Sequence, residues 1–540
     1  MVGTHRQTHV PADRSKTPYA PLTLPLRPLL SELVTRLLLT IFLLTTSAFA
    51  QSVRLPWSGH GHDPQHTGIS QVAARPMQRI LWQTPVDLNR QYSGTNLLAH
   101  YGSALITRAN TVIVPVKTGA SDGFRIEGHD GVTGALKWTE ATDYSLPPHN
   151  WVPQYSPVLT PKNRLYFAGA GGTVFYRDLP DSPDNPSGSR GQLAFYDIAN
   201  YVPATFDANV KINTAITSDR YGNIYFGFRV SGTVTLPGGT PLVSGIARIA
   251  EDGTGTWVAA NTAADDAAIA GLPANLAPAL SNDQKTLYIA VSGGDTFGYL
   301  LALNSRTLAT TGKVRLKDVL TPAADARMLN DGTASPMVGP DGDVYFGVFE
   351  NSWGANHYRG WLLHFNSTLT QTKTPGAFGW DQTPSVVPAS LVPAYTGTSE
   401  YLILSKYNNY AQVGGDGINR MAILDPNDSQ TDPIFGTTVM KEILTIAGIT
   451  PDTEYLFNHP DAVREWCLNS VAIDVAHHSA VLNSEDGKVY RWDFHTNTLN
   501  DAVTITTGLG QAYTPTVIGV DGTIFAIGNG ILFAIGENAP

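Results

Sequence analysis

One cysteine, Cys467, serves the whole 540-residue chain. A single thiol excludes an intramolecular disulfide, a Cys-x-x-Cys redox pair, a cysteine-rich zinc site and a haem-attachment motif. Its expected role is that of a small residue packed at a strand start. Charge is sparse, at 15% of residues, and 45 Asp and Glu outweigh 35 Lys and Arg for a formal net charge of −10. No stretch concentrates the basic residues, so neutralising a nucleic-acid backbone is not this chain's work. No apolar run reaches the roughly 20 residues that a membrane-crossing helix needs. Phosphate-binding glycine loops, His-Glu-x-x-His and zinc-finger spacings are missing as well.

What is abundant is glycine (51) and proline (36), in a chain that is 42% hydrophobic. That is too apolar for disorder and too rich in turn formers for long helices, which leaves many short strands joined by tight turns.

Residues 37–44 read LLLTIFLL, preceded by Arg27 and Arg36 and followed by small residues at Ala48 and Ala50. The order of charged, apolar and small segments is that of a secretory signal, with cleavage expected after Ala50. Position 51 is Gln, so no lipid-bearing cysteine follows. The expectation is a soluble exported protein, secreted or periplasmic, with residues 1–50 as leader and 51–78 as a lead-in.

A repeat fills the rest. Its clearest register is a short run rich in β-branched and aromatic residues, read eight times: Thr111-Val-Ile-Val, Arg164-Leu-Tyr-Phe, Asn223-Ile-Tyr-Phe, Thr286-Leu-Tyr-Ile, Asp343-Val-Tyr-Phe, Glu400-Tyr-Leu-Ile, Ser479-Ala-Val-Leu and Thr523-Ile-Phe-Ala. Runs such as Tyr155-Ser-Pro-Val-Leu and Tyr513-Thr-Pro-Thr-Val precede it, with Pro at a strand start where no ladder bond is lost. Turns such as Pro340-Asp-Gly lie between, and a third run such as Trp361-Leu-Leu-His-Phe-Asn follows. In the first copy a fourth strand follows, ending at Trp138. Four antiparallel strands per unit make a propeller blade.

The last copy stops after Ile531-Leu-Phe-Ala-Ile535 and lacks a fourth strand, while Arg79-Ile-Leu-Trp-Gln-Thr84 has no sheet of its own. Pairing the two closes the ring and removes an exposed edge. The predicted fold is therefore all-β: one eight-bladed propeller over residues 79–540, with an insert at about 434–465.

Asp130-Gly-Val-Thr-Gly-Ala-Leu-Lys-Trp138 and the opening from Trp57 through Gly61 to Gly68 resemble the repeats and the lead-in of the quinoprotein-type β-propeller superfamily. Trp82 and Trp138 stand where such repeats carry a docking tryptophan, with Trp257 a weaker match. The resemblance implies the propeller fold, and admits dehydrogenases, assembly lipoproteins and binding propellers. Its dehydrogenases use pyrroloquinoline quinone with calcium, a catalytic Asp and commonly a vicinal disulfide. This chain cannot form that disulfide, and no residues here match the family's calcium ligands.

In a propeller, the loops from each outer strand to the next inner strand share a face with those between second and third strands. That face gathers His149, Trp151, Tyr155, Asp331, Trp380, Asp381, Arg464, Glu465, Trp466 and Tyr513 from the first kind, and Trp353 from the second. His100, Asn150, Gln154, Asn330, Gln511, His357, Tyr358, Tyr407, Asn408 and Tyr410 accompany them. Aromatic faces beside amides and carboxylates suit a small polar molecule, a glycan or a protein partner. The alternative for each aromatic is packing against the next blade. The reading is a ligand- or partner-binding module without an assigned catalytic residue, resident cofactor or metal. The rivals are a quinone- and calcium-dependent oxidoreductase and a glycan hydrolase or lyase.

Three motifs are set aside. His60, His62 and His66 alternate like metal ligands but belong to the lead-in. Gly119-Ala-Ser-Asp-Gly123 spells a nucleophile elbow, yet joins two strands. Asp181, Asp184 and Asn185 are oxygen-rich without calcium-loop spacing.

Overall fold

The computed structural model describes residues 56–537 apart from 185, 188 and 509–511. The leader, Asn185 and Gln511 lie outside the described residues.

Eight sheets form the blades of a propeller. In chain order they occupy residues 105–141, 158–194, 210–259, 279–315, 337–365, 385–447, 472–504 and 514–536. Each of the eight repeat runs is the second strand of its blade. The tyrosines at the centre of four of them, Tyr166, Tyr225, Tyr288 and Tyr345, are fully buried between blades. In blade 5 the outermost strand is reduced to two isolated bridges, Leu362 to Gly376 and Phe365 to Thr372.

The ring closes as the sequence predicts. Strand Arg79–Pro85 lies antiparallel to the last strand, Ile531–Gly536, with Trp82 opposite Ala534 and Gln83 opposite Phe533. Trp82 docks on the first blade: its Nε1 donates to the Gly131 carbonyl at 3.0 Å, and its ring stacks on His129. Gly134, at φ +72°, lies under that ring, where a Cβ would stand 2.6 Å from it. Trp138 repeats the contact one blade on, donating to the Pro180 carbonyl at 2.8 Å. Trp257 does not; it meets Phe228 of its own blade edge-on.

The lead-in is part of the ring. Its backbone bonds to the innermost strands of blades 1, 2 and 4 to 7: Trp57 to Ile106, Ser58 to Leu159, Pro64 to Leu280, Gln65 to Val338, Thr67 to Val386 and Gly68 to Ile473. It then adds strand Ile69–Ser70 to blade 7 and reaches blade 8 where Arg75 bonds Gly522. These contacts lie where inner strands end and second strands begin, so the segment closes the channel opposite the loop-rich face. His60 and His66 are buried in it, His60 against Thr383 Oγ1 at 3.1 Å and His66 against the Pro336 carbonyl at 2.7 Å.

The segment read as an insert divides in two. Thr438–Ala447 is the outermost strand of blade 6, paired with Arg420–Thr431. Only residues 448–467 elaborate the loop face. There Pro460 and Asp461 form a turn, and Val463 bridges back to Pro451, where a helical start was expected.

Candidate functional site

Six connections of the loop face meet over the channel around a cavity of about 170 Å³. They bring Thr95 and Asn96 from the hairpin before blade 1, Trp151, Gln412, the stretch from Asp452 to Cys467, Glu485 and Tyr513. The 448–467 loop holds its shape through Arg464. This buried guanidinium pairs with Asp452 at 2.9 Å, approaches Glu485 at 3.8 Å and donates to Thr453 Oγ1 at 3.2 Å. Asp452 in turn accepts from the Glu454 amide at 3.1 Å, which turns the chain so that Glu454 and Tyr455 face the cavity.

Beneath lies a buried layer. The His100 ring packs against both Trp151, with centroids 5.4 Å apart, and Tyr513, at 5.2 Å, the three rings forming one mutually touching group. Lys406 forms a 2.8 Å ion pair with Asp381, neither more than 1% exposed, and its ammonium stands 4.7 Å from the Tyr513 ring centre. Burial, then the nearby Lys406 charge, lowers His100 to about 3, so the imidazole is neutral. Burial raises Asp381, against the opposing pull of Lys406, and burial also raises Asp331. Glu465 is pushed up to about 8 by burial and then by the Glu485 charge. Among the described residues its carboxylate has neither a hydrogen bond nor an ion pair.

Of the residues expected on this face, Trp151, Glu465 and Tyr513 line the cavity, Arg464 braces it and Asp381 lies below. Asp331 and His149 are neighbours at its edge, where His149 contacts Gln91 and the Pro147 carbonyl. The others lie elsewhere. Tyr155 is buried against Phe124 and Tyr144, donating to the Ala168 carbonyl at 2.6 Å. Trp466 is fully buried, edge-on to Tyr490 of blade 7. Trp353 and Trp380 form a separate aromatic group with Phe349 at the rim of blade 5. Lys406, Asp452, Tyr455 and Glu485 were not anticipated. Lys406 did leave a trace, as a lone cation in the apolar strand Tyr401–Tyr407.

The fold is shared with solved alcohol dehydrogenases. A europium-containing methanol dehydrogenase superposes with a TM-score of 0.55 at 10% identity, over 88% of this chain and 91% of that one. A quinohemoprotein alcohol dehydrogenase from Comamonas testosteroni gives 0.51 at 11% identity, over 91% and 82%. This likeness is one of fold, an eight-bladed propeller. No family model matches the chain, and no curated protein does.

Pyrroloquinoline quinone does not fit the residues at this channel mouth. It is a flat tricarboxylate, and the cavity wall carries Asp452, Glu454, Glu465 and Glu485. The two nearby cations, Arg464 and Lys406, already pair with Asp452 and Asp381. A sandwiched ring system needs parallel faces about 7 Å apart, twice the contact distance. Trp151 and Tyr513 are 5.7 Å apart and inclined by 52°, with His100 against both. For calcium, no group of three or more His, Cys, Asp or Glu side chains among the described residues is arranged to hold a metal ion.

Proposed function

We propose that this protein is an exported binding module that takes a small polar ligand into the pocket over its channel. The convergence of six connections on one walled cavity carries the reading, because a surface formed only to complete the fold has no need of a cavity lined by Trp151, Tyr455, Tyr513 and Glu465. Export rests on the leader-like residues 27–50. No helix among the described residues is long and apolar enough to cross a membrane.

Among the described residues, nothing in the pocket forms a nucleophile–base pair. Burial holds the Cys467 thiol well above its ordinary pKa, and His100, being neutral and stacked, is a wall. A thermal-shift screen of small amines, sugars and short peptides on the full chain, with Trp151→Ala alongside, tests the proposal. Ligands that raise the melting temperature of the parent protein and leave the variant unmoved support it. Ligands that shift both equally overturn it.

A further inference from the structure

The charge and the walls of the pocket narrow the chemistry of its occupant. We infer that it receives an organic ammonium group, held by the Glu465 carboxylate beside the aromatic rings of Trp151 and Tyr455. This rests on the binding-module reading and adds the class of ligand.

Four carboxylates line the cavity; Arg464 pairs with Asp452 and approaches Glu485, and among the described residues no ion pair reaches Glu454 or Glu465. The Glu465 carboxylate has no partner among the described residues, while its amide donates to Glu485 Oε2 at 3.4 Å, which sets the two side chains side by side so that the Glu485 charge opposes ionisation of Glu465. An anion entering here would be opposed by the carboxylates of the wall. A neutral ligand leaves Glu465 protonated beside Glu485, whereas a cation stabilises its ionised form. The donor arrangement does not form a metal site. Aromatic faces attract ammonium groups through the ring quadrupole, more strongly once water is excluded. Behind those faces, His100, 2% exposed, has no hydrogen-bond partner at either ring nitrogen, and neither does Oδ1 of the fully buried Asp381. The buried layer therefore has spare polar capacity at the base of the pocket.

Protonation follows from the same geometry. The groups around Glu465 are Glu485 from blade 7, Asp452 and Arg464 from its own loop, Lys406 and Tyr410 from blade 6, Asp381 from the loop before blade 6, and Cys467 and Tyr513. Together they leave Glu465 protonated up to about pH 8 in the free protein. A bound cation favours the ionised form, so binding releases a proton and tightens as pH rises.

Calorimetric titration of the full chain with choline, its neutral isostere 3,3-dimethylbutanol and Nα-acetyl-lysine methylamide tests this. Choline is expected to bind at least about tenfold more tightly than the neutral alcohol. Glu465→Gln should abolish that preference without changing the melting temperature of the free protein by more than a few degrees. Choline affinity should rise about tenfold between about pH 6.5 and 8.5, with proton release. If the lysine amide binds more tightly than choline, the ammonium comes from a protein side chain, and in the reverse case from a free amine; either supports the inference. Equal binding of choline and the neutral alcohol, lost in Trp151→Ala, would overturn the ammonium assignment and leave the pocket a binding site. Absence of binding by all three probes would overturn both.

Discussion

Trp82 and Ala534 face each other across one sheet, although nearly the whole chain separates them. Through that pairing the first long strand completes the last blade, and Trp82 reaches past it to the Gly131 carbonyl of the first. Closing the ring thus joins three parts of the chain at one side chain. Trp82→Ala deletes a half-buried ring and its hydrogen bond, and is expected to cost about 2–3 kcal/mol, below the full range for a buried Trp. The urea midpoint of the full chain measures this. A loss no larger than that of an exposed substitution would contradict the docking role.

The channel seal is equally specific. Gly68, at φ +69°, leaves no room for a side chain: a Cβ would stand 2.4 Å from the Val471 carbonyl oxygen and 2.7 Å from Ser385 Oγ. Gly68→Ala should therefore destabilise by about 2–3 kcal/mol, through both the backbone conformation and the overlap. Hydrogen exchange would show the effect at the inner strands Ser385–Pro388 and Ala472–Asp474. Unchanged protection there would contradict the seal.

The buried pair below the pocket is expected to be intolerant of halving. Lys406→Met leaves Asp381 buried and uncompensated, at a cost of about 3–5 kcal/mol. Replacing both, as Lys406→Met with Asp381→Leu, should cost less than the single change. Denaturation of both variants decides it.

Glu465 ties stability to pH. Its folded pKa of about 8 lies above the ordinary 4.5, so between those values the folded protein keeps a proton that the unfolded chain has released. That contribution destabilises the fold progressively as pH rises through the window and levels off above it. Asp331 and Asp381, also raised, act in the same direction. Comparing the parent with Glu465→Gln isolates Glu465: the stability advantage of the variant should grow from about pH 5 to about 8 and then remain constant. Urea midpoints across that range measure it, and a difference independent of pH would contradict the assignment.

The fold was legible because its signals are local. Each second-strand run carries its own β-branched and aromatic pattern, and the unpaired Leu81-Trp82 stretch matched an edge left open at Phe533. The path of the lead-in was not legible. Residues 57–70 have no periodicity, and their partners, from Ile106 to Ile473, are spread over most of the chain. Trp151, Glu465 and Tyr513 could be placed because propeller topology fixes which connections share a face. Tyr155 and Trp466 belong to similar connections, yet their rings turn between blades, a choice set by packing volume and not by position in the repeat. Lys406 escaped because it sits in a strand, and only the assembled ring places it beside Asp381.

The proton that choline displaces tests the central claim most directly. The decisive measurement is the calorimetric titration of the full chain with choline at about pH 7 in two buffers of different ionisation enthalpy. The account predicts close to one proton released for each choline bound, and none released from Glu465→Gln. Choline binding without proton release, or with the same release from Glu465→Gln, would contradict it.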